Sequence, residues 1–329
     1  MSGRLDEFGL IARYFRPLAT APGAAGLTDD AATIPHAFGK ELVVTTDAVV
    51  AGVHFFPDDP ADAVARKALR VNLSDLAAKG ARPTGYLVTL ALPDVWDEDW
   101  LEAFSEGLAI DQEEFGVSLL GGDTVRSPGG LVISITAFGH AAEGHVPRRD
   151  GAAPGQRLYV TGTIGDAALG LMLRQDERLG RLWDLSRAEK EALLDRYLLP
   201  EPRVALASVV GAYGTASMDV SDGLIGDVRK LAEASRVGAV IDAVRVPLSS
   251  GVARAARLDP PALGSALTGG DDYEILLAID PEDAEAFEAE AISLGVRVAD
   301  IGVLTEGSAV RVERHGREMI FQRGSWNHF

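Results

Sequence analysis

VARKALRVNLSDLAAKGARPTGYLVTLALP, residues 64–93, places a helical period directly before a strand. Its first half belongs to a largely apolar helix over 62–79, and TGYLVTLALP reads as a strand over 84–93. A carboxylate inside such a helix gains no cap, because orphan N–H groups exist only at the terminus, so Asp75 is not explained by local structure. Asn72, Asp75 and Lys79 stand at i, i+3 and i+7 and share one face, which meets either solvent or a site.

The same alternation runs outward in both directions. Strand patterns occur at 42–50, 116–123, 131–140, 156–163, 239–246 and 273–279, and helix patterns at 5–16, 97–115, 165–174, 186–197, 224–236 and 281–294. That is an α/β or α+β chain. A length of 329 residues fits two domains of roughly 100–200 residues each. The Gly-, Pro- and Arg-containing stretch HAAEGHVPRRDGAAPG (140–155) is the expected boundary, giving domains 1–145 and 146–329. Gly121-Gly122-Asp123 echoes Gly269-Gly270-Asp271, and Thr46-Asp47 echoes Ser221-Asp222, which is either a trace of duplication or chance.

Composition narrows the chemistry. Hydrophobic residues make up 47% and charged residues 24%, and no apolar run reaches the roughly 18 residues a membrane helix needs. The start lacks the basic, apolar and small-residue order of a signal peptide, so a soluble cytoplasmic protein is expected, with no membrane partner. A net charge of −18 opposes nonspecific nucleic-acid binding. The acids of residues 94–116 read as the solvated face of a surface helix. With no cysteine, any metal must be held by oxygen or by histidine.

Aspartates recur at strand ends and helix openings: Asp29, Asp30, Asp47, Asp75, Asp123, Asp219, Asp222, Asp271 and Asp272. Asp47, Asp222 and Asp272 each suit a cap or a turn equally well. If several converge, cations must join them, since like charges at close range oppose one another's ionisation. Hard oxygen donors suit Mg²⁺, which commonly takes one or two carboxylates beside substrate phosphates. In MDVSDGLIGD (218–227) Asp227 lies within the coming helix and reads as a surface or helix-pairing residue, apart from Asp219 and Asp222. No GxxxxGK[ST] or protein-kinase signature is present, and VTGTIGDAALGL (160–171) lacks GxGxxG, reading instead as a strand, a turn and a helix capped by Asp166.

LTDDAATI, TTDAVVAGVHF, KALRVNLSDLAAKGARP, GGDTVRSPGG, MDVSDGLIGDVRK and LTGGDDYEILL, in this order, resemble the thiamine-monophosphate kinase family, in the superfamily of aminoimidazole ribonucleotide synthetase. The resemblance runs from EFGLIARYF to the terminal SWNHF. It implies a two-domain α/β (α+β) fold whose N-terminal sheet pairs across a homodimer. It also implies Mg²⁺-dependent transfer of the ATP γ-phosphoryl group to thiamine monophosphate, with several ions. Metal ligation would fall to Asp30, Thr45, Thr46, Asp47, Asp75, Asp123, Asp219 and Asp222. ATP phosphates would meet Gly122, Asp123, Arg149 and Ser221, and His54, Asp271 and Trp326 would face thiamine monophosphate. Asp47, Asp123, Arg149 and Asp222 would carry the catalytic charge. The chain departs from the family in having Thr28 before the first acid pair, where glycine is usual, and Asp271 where glutamate is frequent.

The residues agree with such a reaction. Two anionic substrates need strong charge compensation, and many aspartates could hold the ions that supply it. A phosphate acceptor with a second pKa of about 6 needs no general base, and the six histidines pair with no acid in sequence. Without the resemblance, His54 reads as a core or turn histidine, Arg149 as a phosphate clamp or an exposed linker residue, and Trp326 as a stacking platform or an apolar anchor. Selenophosphate synthetase and the hydrogenase-maturation dehydratase are similar in superfamily, but each uses a cysteine or its selenium analogue, which is absent here. Another superfamily enzyme resembling aminoimidazole ribonucleotide synthetase and a non-catalytic nucleotide sensor remain as alternatives.

Overall fold

The computed structural model describes residues 7–28, 31–35 and 37–321. The chain divides into two compact units, the first comprising Met1–Leu76 with Arg82–Glu143 and the second Ala77–Ala81 with Gly144–Phe329.

In the first unit a short helix α1 (Glu7–Leu10) runs into tighter and wider turns over 11–18, in place of the continuous helix expected over 5–16. Then follow β1 (Lys40–Val50), α2 (Ala61–Ala78), β2 (Arg82–Leu92), α3 (Glu98–Phe115), β3 (Ser118–Arg126) and β4 (Val132–Ala142). The strands form one mixed sheet in the order β1-β4-β2-β3, antiparallel except for the parallel β2/β3 pair. Helix α3 starts where Asp97 Oδ1 accepts the Trp100 N–H at 2.6 Å and stops at Gly116, whose left-handed φ of 66° closes the last turn and delays β3 to Ser118. Leu69, Leu73 and Leu76 of α2 and Leu101, Phe104 and Leu108 of α3 are buried, as are Tyr86, Leu90, Ile133 and Ile135 of the sheet.

Asp111 corrects the reading of α3 as uniformly solvated on its acidic face. It is fully buried, and Arg70 grips it through two hydrogen bonds of 2.7 and 2.9 Å while Arg66 Nε donates a third at 2.8 Å. The paired guanidinium charges make burial of the carboxylate tolerable and fasten α2 to α3.

The second unit contains β5 (Arg157–Thr161), α4 (Asp166–Gln175), α5 (Leu179–Leu182), α6 (Arg187–Leu198), α7 (Ala207–Tyr213), β6 (Gly214–Val220), α8 (Leu224–Ser235) and β7 (Gly238–Asp242). It continues through α9 (Ser250–Leu258), α10 (Pro260–Thr268), β8 (Glu274–Ile279), α11 (Ala284–Ser293), β9 (Val298–Thr305), β10 (Val310–Arg314) and β11 (Arg317–Glu318). Seven strands lie in the order β11-β10-β7-β9-β5-β8-β6, with β7/β10 the parallel pair. Every residue of β8 is buried because both its faces are covered: Leu276 and Ala278 enter one apolar cluster, and Ile275, Leu277 and Ile279 the other. At the head of β8, buried Glu274 accepts from Thr161 at 2.6 Å, Arg196 at 2.8 Å and Arg203 at 2.7 and 2.5 Å.

The echoed tripeptides do not share a conformation. Gly121–Asp123 lies within a strand, whereas Gly269–Asp271 is a loop leading into β8. Among the described residues no helix is long and apolar enough to cross a membrane.

Candidate active site

In the first unit, β-ladder register sets the candidate residues. Thr45 and Asp47 point to one side of β1 and Thr46 to the other, following the two-residue period of a strand. Thr45 Oγ1 donates to Asp75 Oδ2 at 2.5 Å, and the Asp47 N–H donates to Asn72 Oδ1 at 3.0 Å. The polar face of α2 therefore meets β1 rather than solvent, and Asn72 is fully buried. Lys79 does not continue that face: α2 ends at Ala78, and Lys79 belongs to the second unit, where its ammonium donates to the carbonyls of Ser217 and Pro147. Thr46 Oγ1 donates to the Ile135 carbonyl and accepts from Thr136 Oγ1, each at 3.1 Å, so the Thr46 hydroxyl is not brought together with that of Thr45, which bonds Asp75.

Gly122 is paired with Val88 across β2/β3, and a Cβ there would sit 1.9 Å from the Val88 carbonyl oxygen. Only glycine fits this approach. Asp123 follows it, exposed, on the rim of a 680 Å³ cavity lined also by Thr89, Thr136, Phe138, Phe15 and Leu27. That size suits a small-molecule ligand. His54 is a turn residue: its Nδ1 accepts the Val50 N–H at 3.0 Å, which puts the neutral ring's proton on Nε2, and its carbonyl accepts from Lys67 at 3.0 Å.

In the second unit, β6 delivers Asp219, buried, and the chain then turns through Ser221, Asp222 and Gly223 into α8. Gly223 adopts φ 107°, and a Cβ there would meet the Thr268 carbonyl oxygen at 2.5 Å. Asp227 is not a surface residue. It is fully buried, its Oδ2 accepts the Asp222 N–H at 3.0 Å, and its Oδ1 accepts from Lys230 at 2.7 Å. Burial pushes its carboxyl above the usual range, against the pull of Lys230. Lys230 also donates to Asp222. Partial burial alone would lower the lysine's pKa, but the bonds to both carboxylates outweigh it and hold it raised.

Asp271 and Tyr273 take left-handed φ values of 72° and 51°, and their N–H groups donate to the Ser221 and Val220 carbonyls, each at 2.9 Å. Asp272 between them is buried and accepts the N–H groups of Gly165 at 2.7 Å and Ala167 at 3.4 Å. The first turn of α4 is therefore served by Asp272; Asp166, expected to cap it, accepts from Thr163 instead and keeps its Oδ1 buried without a hydrogen-bond partner. Arg149 is exposed, and its carbonyl accepts from Ser235 at 2.9 Å. Asp30 and Trp326 lie outside the described residues.

Among the described residues no group of three or more His, Asp or Glu side chains gathers as a metal cage. The donors on offer are hard oxygens: Asp47, Asp123 and the Thr45–Asp75 pair in one unit, Asp219 and Asp222 in the other. They fit Mg²⁺ completed by phosphate and water rather than an all-protein site. Sequence reading passed over Lys230, whose signal is its spacing of three residues from Asp227, and gave Asp272 no role beyond a local cap or turn.

Residues 28–141 match the family model of the AIR synthase related protein N-terminal domain, and residues 153–315 that of the C-terminal domain. The thiamine-monophosphate kinase of Caulobacter vibrioides is 44% identical over 326 residues, 98% of this chain and 90% of that protein. The chain belongs to the thiamine-monophosphate kinase family. Within that family, the crystal structure of the Stenotrophomonas maltophilia kinase superposes with a TM-score of 0.82 at 39% identity, covering 94% of this chain and 97% of that one. AaThiL complexed with AMPPCP and TMP superposes at 0.76 and 31% identity over 100% of both chains.

Proposed function

We propose that the protein transfers the γ-phosphoryl group of ATP to thiamine monophosphate, giving thiamine diphosphate and ADP. The whole-chain identity of 44% to a thiamine-monophosphate kinase carries this reading, and the neighbour holding AMPPCP and TMP supports it. A phosphate oxygen of thiamine monophosphate attacks the γ-phosphorus in line while the bond to the β–γ bridging oxygen breaks and ADP leaves. That oxygen is largely deprotonated near neutrality, so the protein supplies charge and alignment instead of a base. Mg²⁺ ions would neutralise phosphate charge, with Asp47, Asp75, Asp123 and Thr45 the proposed ligands in the first unit and Asp222 in the second. Asp30, Thr46 and Asp219 complete the proposed ligand set. Gly122 allows main-chain approach to phosphate, Ser221 offers a hydroxyl, and exposed Arg149 offers a bidentate clamp. His54, Asp271 and Trp326 are assigned to thiamine monophosphate. Lys230 already neutralises Asp222, so an ion arriving there replaces an existing ion pair.

A homodimer is part of the same reading, supported by β1, an edge strand that exposes Leu42 at 49% and Val44 at 52%. Cytoplasmic residence is proposed with it. The test is ADP release by the purified protein with ATP and Mg²⁺, which should depend on added thiamine monophosphate. ADP release that ignores the acceptor would reject the assignment.

A further inference from the structure

The loop before β8 is held in an unfavourable shape. Asp271 and Tyr273 are both left-handed, a backbone that residues other than glycine rarely adopt and that aspartate tolerates better than tyrosine. What such a loop gains must come from its surroundings. Its outward side is locked to the turn after β6: the N–H groups of Asp271 and Tyr273 donate to the Ser221 and Val220 carbonyls, and a Cβ on Gly270 would lie 2.3 Å from the Ser221 oxygen. Its inward side is held by Asp272, fully desolvated, whose carboxylate takes two main-chain N–H groups at the start of α4. A Cβ on Gly269 would meet Ala168 Cβ at 2.5 Å, so the loop has no room to settle closer to that helix.

We propose that Asp272 is a positioning residue that clamps the left-handed 271–273 segment between α4 and the turn carrying Ser221 and Asp222, and thereby fixes Asp271 toward the substrate. The assignment of Asp271 to thiamine monophosphate rests on the function proposed above. Asp272 is buried with its carboxylate on main-chain N–H groups, so it acts through the backbone on either side of it. A carboxylate accepts from two N–H donors at once, whereas an amide presents its own N–H₂ to one of them. Asp272→Asn therefore loosens the clamp without changing its volume, and Asp272→Ala removes it.

Kinetics and amide exchange on the full chain test this together. Asp272→Asn should raise the KM for thiamine monophosphate by about tenfold, the scale of one lost hydrogen bond, with a smaller change in kcat and in the KM for ATP, and Asp272→Ala should go further. The amides of Asp271 and Tyr273 should exchange faster in both variants while those of β8 stay protected. Tyr273→Asn, a residue that accepts left-handed backbone at lower cost, should recover part of the lost KM when added to Asp272→Asn. A merely structural cap on α4 would not be rescued at residue 273. Unchanged exchange at 271 and 273 in the Asp272 variants overturns the clamp. Faster exchange in the variants, together with a wild-type protein that makes no thiamine diphosphate, would uphold the clamp and reject the kinase reading instead.

Discussion

Along β1 and β3, Asp47 and Asp123 take their places from ladder register, while Asp222, just past β6, takes its place from a turn pressed against another loop. In the first region the neighbours are regular: Gly122 opposite Val88, Asn72 on the Asp47 amide, Asp75 under Thr45. In the second they are irregular: Gly223 at φ 107°, left-handed Asp271 and Tyr273, and a lysine sitting on the acid. A sheet fixes a carboxylate by many shared hydrogen bonds and has little freedom to give. Interlocked loops fix one by a few contacts that can be removed singly.

Substitutions separate the two regimes. Asp47→Asn and Asp123→Asn should have the largest effect, lowering kcat about 100-fold or more with little change in thermal stability, because each removes the charge of a proposed metal ligand rather than packing. Near-normal turnover in either variant would break the assignment of the sheet acids. Gly122→Ala and Gly270→Ala should differ in kind. The first puts a Cβ 1.9 Å from a carbonyl oxygen inside a ladder and should cost about 1–3 kcal/mol in chemical denaturation. The second puts it 2.3 Å from the Ser221 oxygen in a loop, which can shift, so its cost should appear more in KM than in stability.

Lys230→Met should act more mildly. It leaves Asp222 and buried Asp227 without their ammonium, so the melting temperature in chelator should fall and the gain on adding Mg²⁺ should grow. Equal Mg²⁺ gains in variant and wild type would place the ion away from Asp222. The smallest effect lies outside both regions, at the capping box of α6. Hydrogen bonds from the Ser186 N–H and side chain hold Glu189 down to about 2. A carboxyl depressed on folding stabilises above its ordinary 4.5, and that contribution is lost as pH falls toward about 2. The stability difference between wild type and Glu189→Gln should shrink over that interval, and a difference that does not depend on pH would deny the carboxylate its role.

Where hydrophobic period and length agree, sequence and structure agree: helices α2, α3, α6 and α8 fall within a residue or two of their patterns. Strand β6, GTASMDV, is small and polar in places, and it is a strand because β8 pairs with it. Helices α9 and α10 are only nine residues each, and their buried sides rest mostly on small residues, Gly251, Val252, Ala255 and Ala256 in one and Ala262 and Ala266 beside Leu263 and Leu267 in the other, so the period is short and weakly marked in the sequence. The candidate carboxylates themselves stood out as Asp beside Gly or Ser at strand ends. Their supports did not, since Asp272 meets Gly165 across 107 residues and Asp111 meets Arg70 across 41. Local pattern records which side chains are offered. Long-range packing decides which are buried, paired or neutralised, as Asp227 shows by being interior where the sequence suggests a surface or helix-pairing residue.

Transfer of the γ-phosphoryl group from the ATP anhydride to the phosphate monoester thiamine monophosphate is tested most directly by the fate of that group. With ATP labelled in that group, Mg²⁺ and thiamine monophosphate, the label should appear in thiamine diphosphate in equal amount to the ADP formed. Label found only in inorganic phosphate, or retained in bound ATP, would contradict it.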